Sequence, residues 1–86
     1  MADNIKQIND VLDMLAEDTS VPRNIRKGAA DAVANLRDTK KPLDLRVSNA
    51  INVLADLSND PNIPMESWST IMQILSDLEA VLKDVI

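Results

Sequence analysis

The sequence predicts an all-α fold, an antiparallel up-and-down four-helix bundle of 86 residues. Apolar residues recur at spacings of three and four in four separate stretches, which is the periodicity of amphipathic helices. Short polar segments that contain proline separate these stretches, so consecutive helices should run antiparallel. The second half of the chain also repeats the first with an offset of 42 residues, which divides the single predicted domain, residues 1–86, into two helical hairpins.

The first helix is predicted from residue 3 to about residue 17. Its apolar face contains Ile5, Ile8, Leu12 and Leu15. Asp10, Asp13 and Glu17 fall on another stripe, where we expect a solvated helix face rather than a metal site. Thr19 and Ser20 end this helix, and both are residue types that cap the start of a following helix.

The second helix is predicted from about residue 21 or 22 to residue 37, because proline suits the first turn of a helix. Its buried face is expected to contain Ile25, Ala29, Ala32, Val33 and Leu36. Gly28 lies at the border of this face, although glycine costs about 1 kcal/mol relative to alanine inside a helix. We expect Gly28 to permit close contact with a neighbouring helix. The alternative is a backbone surface that is kept open for a ligand.

The third helix is predicted from about residue 44 to residue 58, with Asp44 as its cap. Its buried residues are expected to be Val47, Ala50, Ile51, Leu54 and Leu57. The fourth helix begins near Pro64 and runs almost to the end of the chain. Its apolar residues cover about half of the helix circumference, which is wider than one packing seam requires.

The surplus apolar surface of the fourth helix predicts a homodimer interface at Met72, Leu82 and Ile86, because large apolar patches on small proteins usually mark contacts. The alternative is that the first helix covers this border. Trp68, the only aromatic residue, is expected to be a core anchor, with an exposed stacking platform as the alternative.

The internal repeat centres on a corner of the form D-x-x-[VI]-P, at residues 18–22 and again at residues 60–64. Matching positions should be buried to similar extents, among them Leu12 with Leu54 and Val33 with Leu75. A two-helix period of 42 residues lies in the range of HEAT repeats. Two hairpins are too few for a solenoid, so the compact bundle is favoured over an open HEAT-like pair.

Three stretches carry a resemblance to known proteins: residues 18–26 (DTSVPRNIR), residues 45–48 (LRVS) and residues 57–64 (LSNDPNIP). With these stretches the chain resembles, over its whole length, a small archaeal family known as uncharacterised protein family 0147. Members of that family look like four-helix up-and-down bundles, so the resemblance implies the same fold. No activity comes with the family, so the resemblance implies no functional residue.

The net charge of −5 conceals a basic middle, because residues 23–46 alone carry +4 and the rest of the chain carries −9. The candidate residues for binding an anionic partner are Arg23, Arg26, Lys27, Arg37, Lys40, Lys41 and Arg46. Two interpretations remain open for the first three. They pair with Glu17 and Asp18 across the first corner, or they face outward towards a partner such as RNA.

The composition offers little for catalysis, because the chain contains no histidine, no cysteine and a single glycine. It therefore lacks the commonest general base, a thiolate and a glycine-rich phosphate loop. We predict no catalytic residue, no metal, no cofactor and no small-molecule substrate. Residues 56–62 space their oxygens like a calcium loop but lack its glycine and final glutamate, so a helix–turn–helix corner is expected there.

The leading prediction is a non-catalytic protein-interaction or assembly module, whose partner is a second copy or another protein. The alternative is an accessory protein associated with nucleic acid or a ribonucleoprotein through residues 23–46, and an enzyme is the weakest alternative. The N-terminus does not resemble a signal peptide, and no apolar run is long enough to span a bilayer. We therefore expect a cytoplasmic protein with no membrane contact.

Overall fold

The computed structural model describes residues 2–85, and the side chains of residues 4–85, as four α-helices in chain order. The helices are α1 (Ala2–Glu17), α2 (Arg23–Leu36), α3 (Leu43–Ser58) and α4 (Met65–Val85). Short connections reverse the chain three times, which gives an antiparallel up-and-down bundle of 34 × 19 × 19 Å. The predicted fold class is confirmed, and each helix boundary lies within two residues of its predicted position. No helix within residues 2–85 has the length and apolarity needed to cross a membrane.

The core is aliphatic and runs the length of the bundle. Its fully buried large side chains are Leu12, Ile25, Leu36, Val47, Leu54, Ile71 and Leu78. The burial expected from the internal repeat is confirmed, because Leu12 and Leu54 are both 0% exposed while Val33 and Leu75 are 5% and 8% exposed. Helices that follow one another in the chain pack along their lengths, and α1 contacts α4 more sparsely. That fourth contact closes the bundle, so the open HEAT-like pair is not formed.

All three connections contain the same turn, which begins at Asp18, Asp38 and Asp60. Each aspartate accepts, through its carbonyl oxygen, a hydrogen bond of 3.0–3.2 Å from the N–H three residues later. Its Oδ1 accepts a second hydrogen bond, of 2.8–3.3 Å, from the N–H two residues later. A proline follows four residues after each aspartate. The turn predicted for residues 18–22 and 60–64 is therefore also present at residues 38–42.

The predicted helix caps are wrong at two corners. Pro22 and Pro42 occupy the N-cap positions of α2 and α3, and neither helix has a side-chain cap. The Ser20 hydroxyl instead donates to Asp18 Oδ1 at 2.6 Å, while Asp44 lies inside the first turn of α3. The reason is that proline occupies each cap position, and its side chain has no atom that could accept a hydrogen bond. The charge of Asp44 still favours the helix through the macrodipole.

Gly28 marks a close approach of α2 to α3, as predicted. The residue is buried, and a Cβ placed on it would lie within 2.7 Å of Leu57 Cγ and nearer still to both Leu57 methyl groups. Leu57 therefore fills the space that a larger side chain would need. The backbone of Gly28 is covered by this side chain rather than kept open for a ligand.

Candidate interaction surfaces

An exposed apolar stripe, hereafter the α4 stripe, consists of Met65, Trp68 and Met72. These side chains are 75%, 40% and 40% exposed, and their spacing of three and four places them on one side of α4. Met65 and Trp68 also line a shallow surface hollow with Ile63. The prediction of Trp68 as a core anchor is therefore wrong. The inward position of this first turn belongs to Ser67, which is 4% exposed.

The predicted dimer residues have three different positions. Met72 is exposed and belongs to the α4 stripe. Leu82 is half-buried and packs against the core, so it is not surplus surface. Ile86 lies outside the described residues. Met65 was missed, although it stands seven residues before Met72 and so shares its side of the helix.

An elongated cleft, hereafter the α1–α4 cleft, runs between α1 and α4, where these helices contact each other most sparsely. Three adjoining hollows form it. Their lining from α1 and the first corner is Asn4, Gln7, Ile8, Val11, Leu15, Asp18, Ser20 and Val21. Their lining from the third corner and α4 is Pro64, Met65, Glu66, Ser67, Ser69, Thr70, Gln73, Ile74, Asp77 and Ala80. Because α1 packs against the side of α4 that carries Ile74, it does not cover Met72, which lies on the other side of α4.

The seven predicted cations lie at both ends of the bundle rather than on one surface. Arg23, Arg26 and Lys27 lie in the first turns of α2, close to the corners at 18–22 and 60–64. The other four residues lie around the corner at 37–42, beyond the far end of α2. A helix of 14 residues is about 21 Å long, and this length separates the two groups. The cations behind the local charge of +4 therefore form two separate groups, one at each end of the bundle.

The cations at the far end are held by acceptors of the bundle itself. Arg37 donates two hydrogen bonds to the carboxylate of Asp13, at 2.8 and 3.3 Å. Lys41 lies 3.7 Å from Asp38 within the turn. Arg46 Nη1 donates to the carbonyl oxygen of Leu36 at 3.2 Å, near the C-terminus of α2. Lys40 is exposed at the tip of the turn.

The predicted ion pairs across the first corner are not formed within residues 4–85. Arg26 Nε instead donates to the carbonyl oxygen of Val21 at 3.0 Å. Asp18 accepts hydrogen bonds from the hydroxyl and the N–H of Ser20, and these bonds lower the pKa of its carboxyl. The positive charge of Arg26 lowers this pKa further as a smaller contribution. Arg23 and Lys27 are exposed one turn apart on α2.

Three carboxylates of the two acidic patterns, Asp10, Asp13 and Asp60, are engaged within the fold. Asp10 accepts a hydrogen bond from Lys6 Nζ at 3.0 Å, and Asp13 pairs with Arg37. In the corner after α3, Asp60 binds the N–H of the residue two positions later and the side-chain amide of Asn24. Within the part of the chain that the structure describes, no three acidic side chains could hold a metal ion together.

The sequence matches the uncharacterised protein family UPF0147 over residues 1–81. A UPF0147 protein of the archaeon Saccharolobus solfataricus is 46% identical over 77 residues, covering 90% of this chain and 86% of the relative. A UPF0147 protein of Methanosarcina acetivorans is 40% identical over 83 residues, covering 96% and 86%. These matches confirm the resemblance found in the corner sequences.

Two crystal structures are similar to this bundle. The structure of a protein from the same uncharacterised family in Thermoplasma acidophilum has a TM-score of 0.89 at 35% identity, covering 93% of this chain and 94% of the other. The structure of a protein of unknown function has a TM-score of 0.87 at 42% identity, covering 91% and 89%. The four-helix fold is thus shared across these proteins.

Proposed function

This chain belongs to the uncharacterised protein family UPF0147, and we propose that it acts by binding, as an assembly module that pairs with a second copy of itself. The α4 stripe is the observation that carries this proposal. Tryptophan and methionine are enriched at the centres of protein interfaces. At about 200 Å² for each whole side chain, the three exposed fractions leave roughly 300 Å² of apolar surface, and patches of this size are often functional.

The spacing of the α4 stripe supports a second copy as the partner. Met65 precedes Trp68 by three residues and Met72 follows it by four, so the stripe is nearly symmetric about Trp68. An antiparallel crossing of two α4 helices centred there places Met65 of one copy against Met72 of the other. This is the self-complementary contact of a two-fold dimer. Two such stripes contribute about 600 Å² of buried surface, and a polar rim of similar area would bring the total to about 1,200 Å², the lower end of specific interfaces.

Sedimentation equilibrium at micromolar concentration tests this proposal. We expect a mass of about 19 kDa, twice the chain mass of 9.5 kDa. Met72→Glu should return the mass to that of one chain, because an unpaired charge is costly to bury. Met14→Glu is the matched control, since Met14 is 70% exposed on α1, away from the α4 stripe. A wild-type mass of 9.5 kDa would contradict the proposal.

A nucleic-acid-associated role is the second candidate, and the exposure of Arg23 and Lys27 on adjacent turns of α2 favours it. If it holds, RNA binding should weaken steeply as salt rises, and Arg23→Ala with Lys27→Ala should weaken it further. Arg26 is left unchanged because it binds the Val21 carbonyl oxygen. Absence of RNA binding by the wild type in low salt would remove this candidate. Non-catalytic action in the cytoplasm is part of both proposals.

A further inference from the structure

The α1–α4 cleft exists because polar and short side chains face each other across this seam. Gln7 and Val11 of α1 lie opposite Thr70, Gln73 and Asp77 of α4. None of these five residues is a large aliphatic side chain that would interlock with the neighbouring helix, as in the core. The two helices therefore meet only at their inner edges, and their outer edges form the walls of a trough.

The floor of the cleft is apolar where its hollows adjoin. Ile8 and Ile74 are buried at its base, and Val11 beside them is 40% exposed. On α4 the cleft extends from Met65 to Ala80, a length of about 22 Å at the helical rise. A helix of about 14 residues has the same length. The cleft therefore has the dimensions and the apolar floor of a groove that receives an amphipathic helix.

The negative charge of the cleft indicates which kind of partner helix it can bind. Asp18, Glu66 and Asp77 are the charged residues of its lining, which contains no lysine or arginine. The two helices that form the cleft add to this field, because α1 and α4 each contain four carboxylates and one lysine. The complementary partner carries lysine or arginine beside its apolar seam. The acidic lining disfavours nucleic acids and anionic lipid surfaces at this cleft.

A second copy of this chain does not supply such a helix. Among the four helices of residues 2–85, α2 alone has excess positive charge, with three cations and one aspartate. Its apolar residues are buried in the core, where Ile25 and Ala29 are 0% exposed. The occupant must therefore come from a different protein.

We propose that the α1–α4 cleft is a docking site for a basic amphipathic helix of a partner protein. Leucine-type side chains of that helix enter the hollows over Ile8 and Ile74, and its flanking cations lie beside Glu66 and Asp77. This site is on the opposite border of α4 from Trp68 and Met72, and it shares only Met65 with the α4 stripe. It thus goes beyond self-association, because a dimer formed through the α4 stripe would present two open clefts.

The probe is a fluorescent 14-residue helical peptide with leucine at every third or fourth position and lysine on both flanks. It is titrated with the full chain in low salt and followed by fluorescence anisotropy. We expect saturable binding, and much weaker binding of a peptide in which glutamate replaces every lysine. Glu66→Gln with Asp77→Asn should weaken the lysine peptide by roughly tenfold, since each exposed charge pair contributes up to about fivefold.

Matched variants separate docking from general charge attraction. Asp31→Asn with Asp56→Asn removes the same charge from the exposed faces of α2 and α3, and should leave peptide affinity within about twofold, because distant exposed charges are screened by salt. Gln73→Trp fills the cleft without changing its charge and should abolish binding, whereas Asn52→Trp on the outer face of α3 should not.

Three results would overturn the proposal: no saturable binding of the lysine peptide, equal binding of the glutamate peptide, or equal losses in the α2–α3 control variant. Backbone amide shifts confined to α1 and α4 would support it. The titration is repeated in the Met72→Glu variant, whose cleft is unchanged. Binding that persists there supports docking even if self-association fails, so the two proposals are tested separately.

Discussion

Replacing Gly28 by alanine tests the close contact between α2 and α3. The new Cβ would lie within 2.7 Å of Leu57 Cγ, whereas non-bonded carbon atoms prefer about 3.5–4 Å. The Leu57 side chain must therefore move by about 1 Å as a whole, because Cγ and both methyl groups are too close. Overpacking of this kind typically costs about 1–3 kcal/mol. Alanine in a helix recovers about 1 kcal/mol, so we expect a net destabilisation of about 1 kcal/mol.

A double-mutant cycle with Leu57→Ala isolates the contact. Without the Leu57 side chain the overlap disappears, so Gly28→Ala should stabilise the variant by up to about 1 kcal/mol through helix propensity. The effect of the alanine thus changes sign between the two backgrounds, with a coupling of about 1–3 kcal/mol. Urea unfolding followed by circular dichroism measures all four proteins.

A control in the same helix supplies the propensity contribution on its own. Ala30 is exposed on α2, and Ala30→Gly should cost about 1 kcal/mol without any contact with α3. If Gly28→Ala raised stability equally in the wild type and in the Leu57→Ala background, Leu57 would not occupy this space. The reasoning about the α2–α3 contact would then be refuted.

Two further predictions concern the core and the first corner. Val33→Ala and Leu75→Ala should each lower the free energy of unfolding by about 1–4 kcal/mol, because both side chains are buried at repeat-related positions. The same urea assay measures both variants. An unchanged free energy of unfolding in both would contradict the assigned helix faces. The hydrogen bonds from Ser20 lower the folded-state pKa of Asp18. The Asp18 carboxylate therefore stabilises the fold at pH values above its unfolded-state pKa of about 4. This contribution is lost as the pH falls through the folded-state pKa, so the wild type should lose stability more steeply than Asp18→Asn in acid. If the stability of the two proteins fell in parallel as the pH was lowered, the Asp18 carboxylate would not stabilise the fold.

The helices and the inward rows of the core could be predicted from the sequence, because each depends on the periodicity of one stretch. The two D-x-x-[VI]-P corners could also be predicted. Residues 38–42 were predicted as a polar connection but not as a third copy of this turn, because the 42-residue offset aligns whole hairpins and leaves the middle connection without a match. The same turn recurs after 20 and then 22 residues, from Asp18 to Asp38 and from Asp38 to Asp60.

The exposure of Trp68 could not be predicted in the same way. Periodicity gives the width of the apolar arc on α4, but the packing of neighbouring helices decides which border is covered. Here Leu82 packs against the core, while Met72 and Trp68 remain exposed. Residue type also misleads, because Ser67 rather than the tryptophan occupies the inward position of the first turn.

The α1–α4 cleft and the partners of the cations depend on long-range geometry. No connection joins α1 to α4, so no local pattern indicates how closely these helices meet. Pairing of Arg26 with the corner acids was one of the two interpretations that the sequence left open, but its Nε donates instead to the carbonyl oxygen of Val21 within the same corner. The pairing of Arg37 with Asp13 joins residues 24 positions apart on different helices, and charge counts along the chain do not reveal it.

The emission spectrum of Trp68 over a dilution series tests whether the α4 stripe is the surface through which the chain pairs with itself. Trp68 is the only tryptophan in the chain and is 40% exposed in the single chain, so its emission reports burial of this stripe alone. We expect emission at shorter wavelength at high concentration and a shift to longer wavelength on dilution, with the same midpoint as the fall in mass. A mass that halves on dilution while the emission stays constant would place the contact elsewhere, and a mass of 9.5 kDa at every concentration would contradict self-association itself.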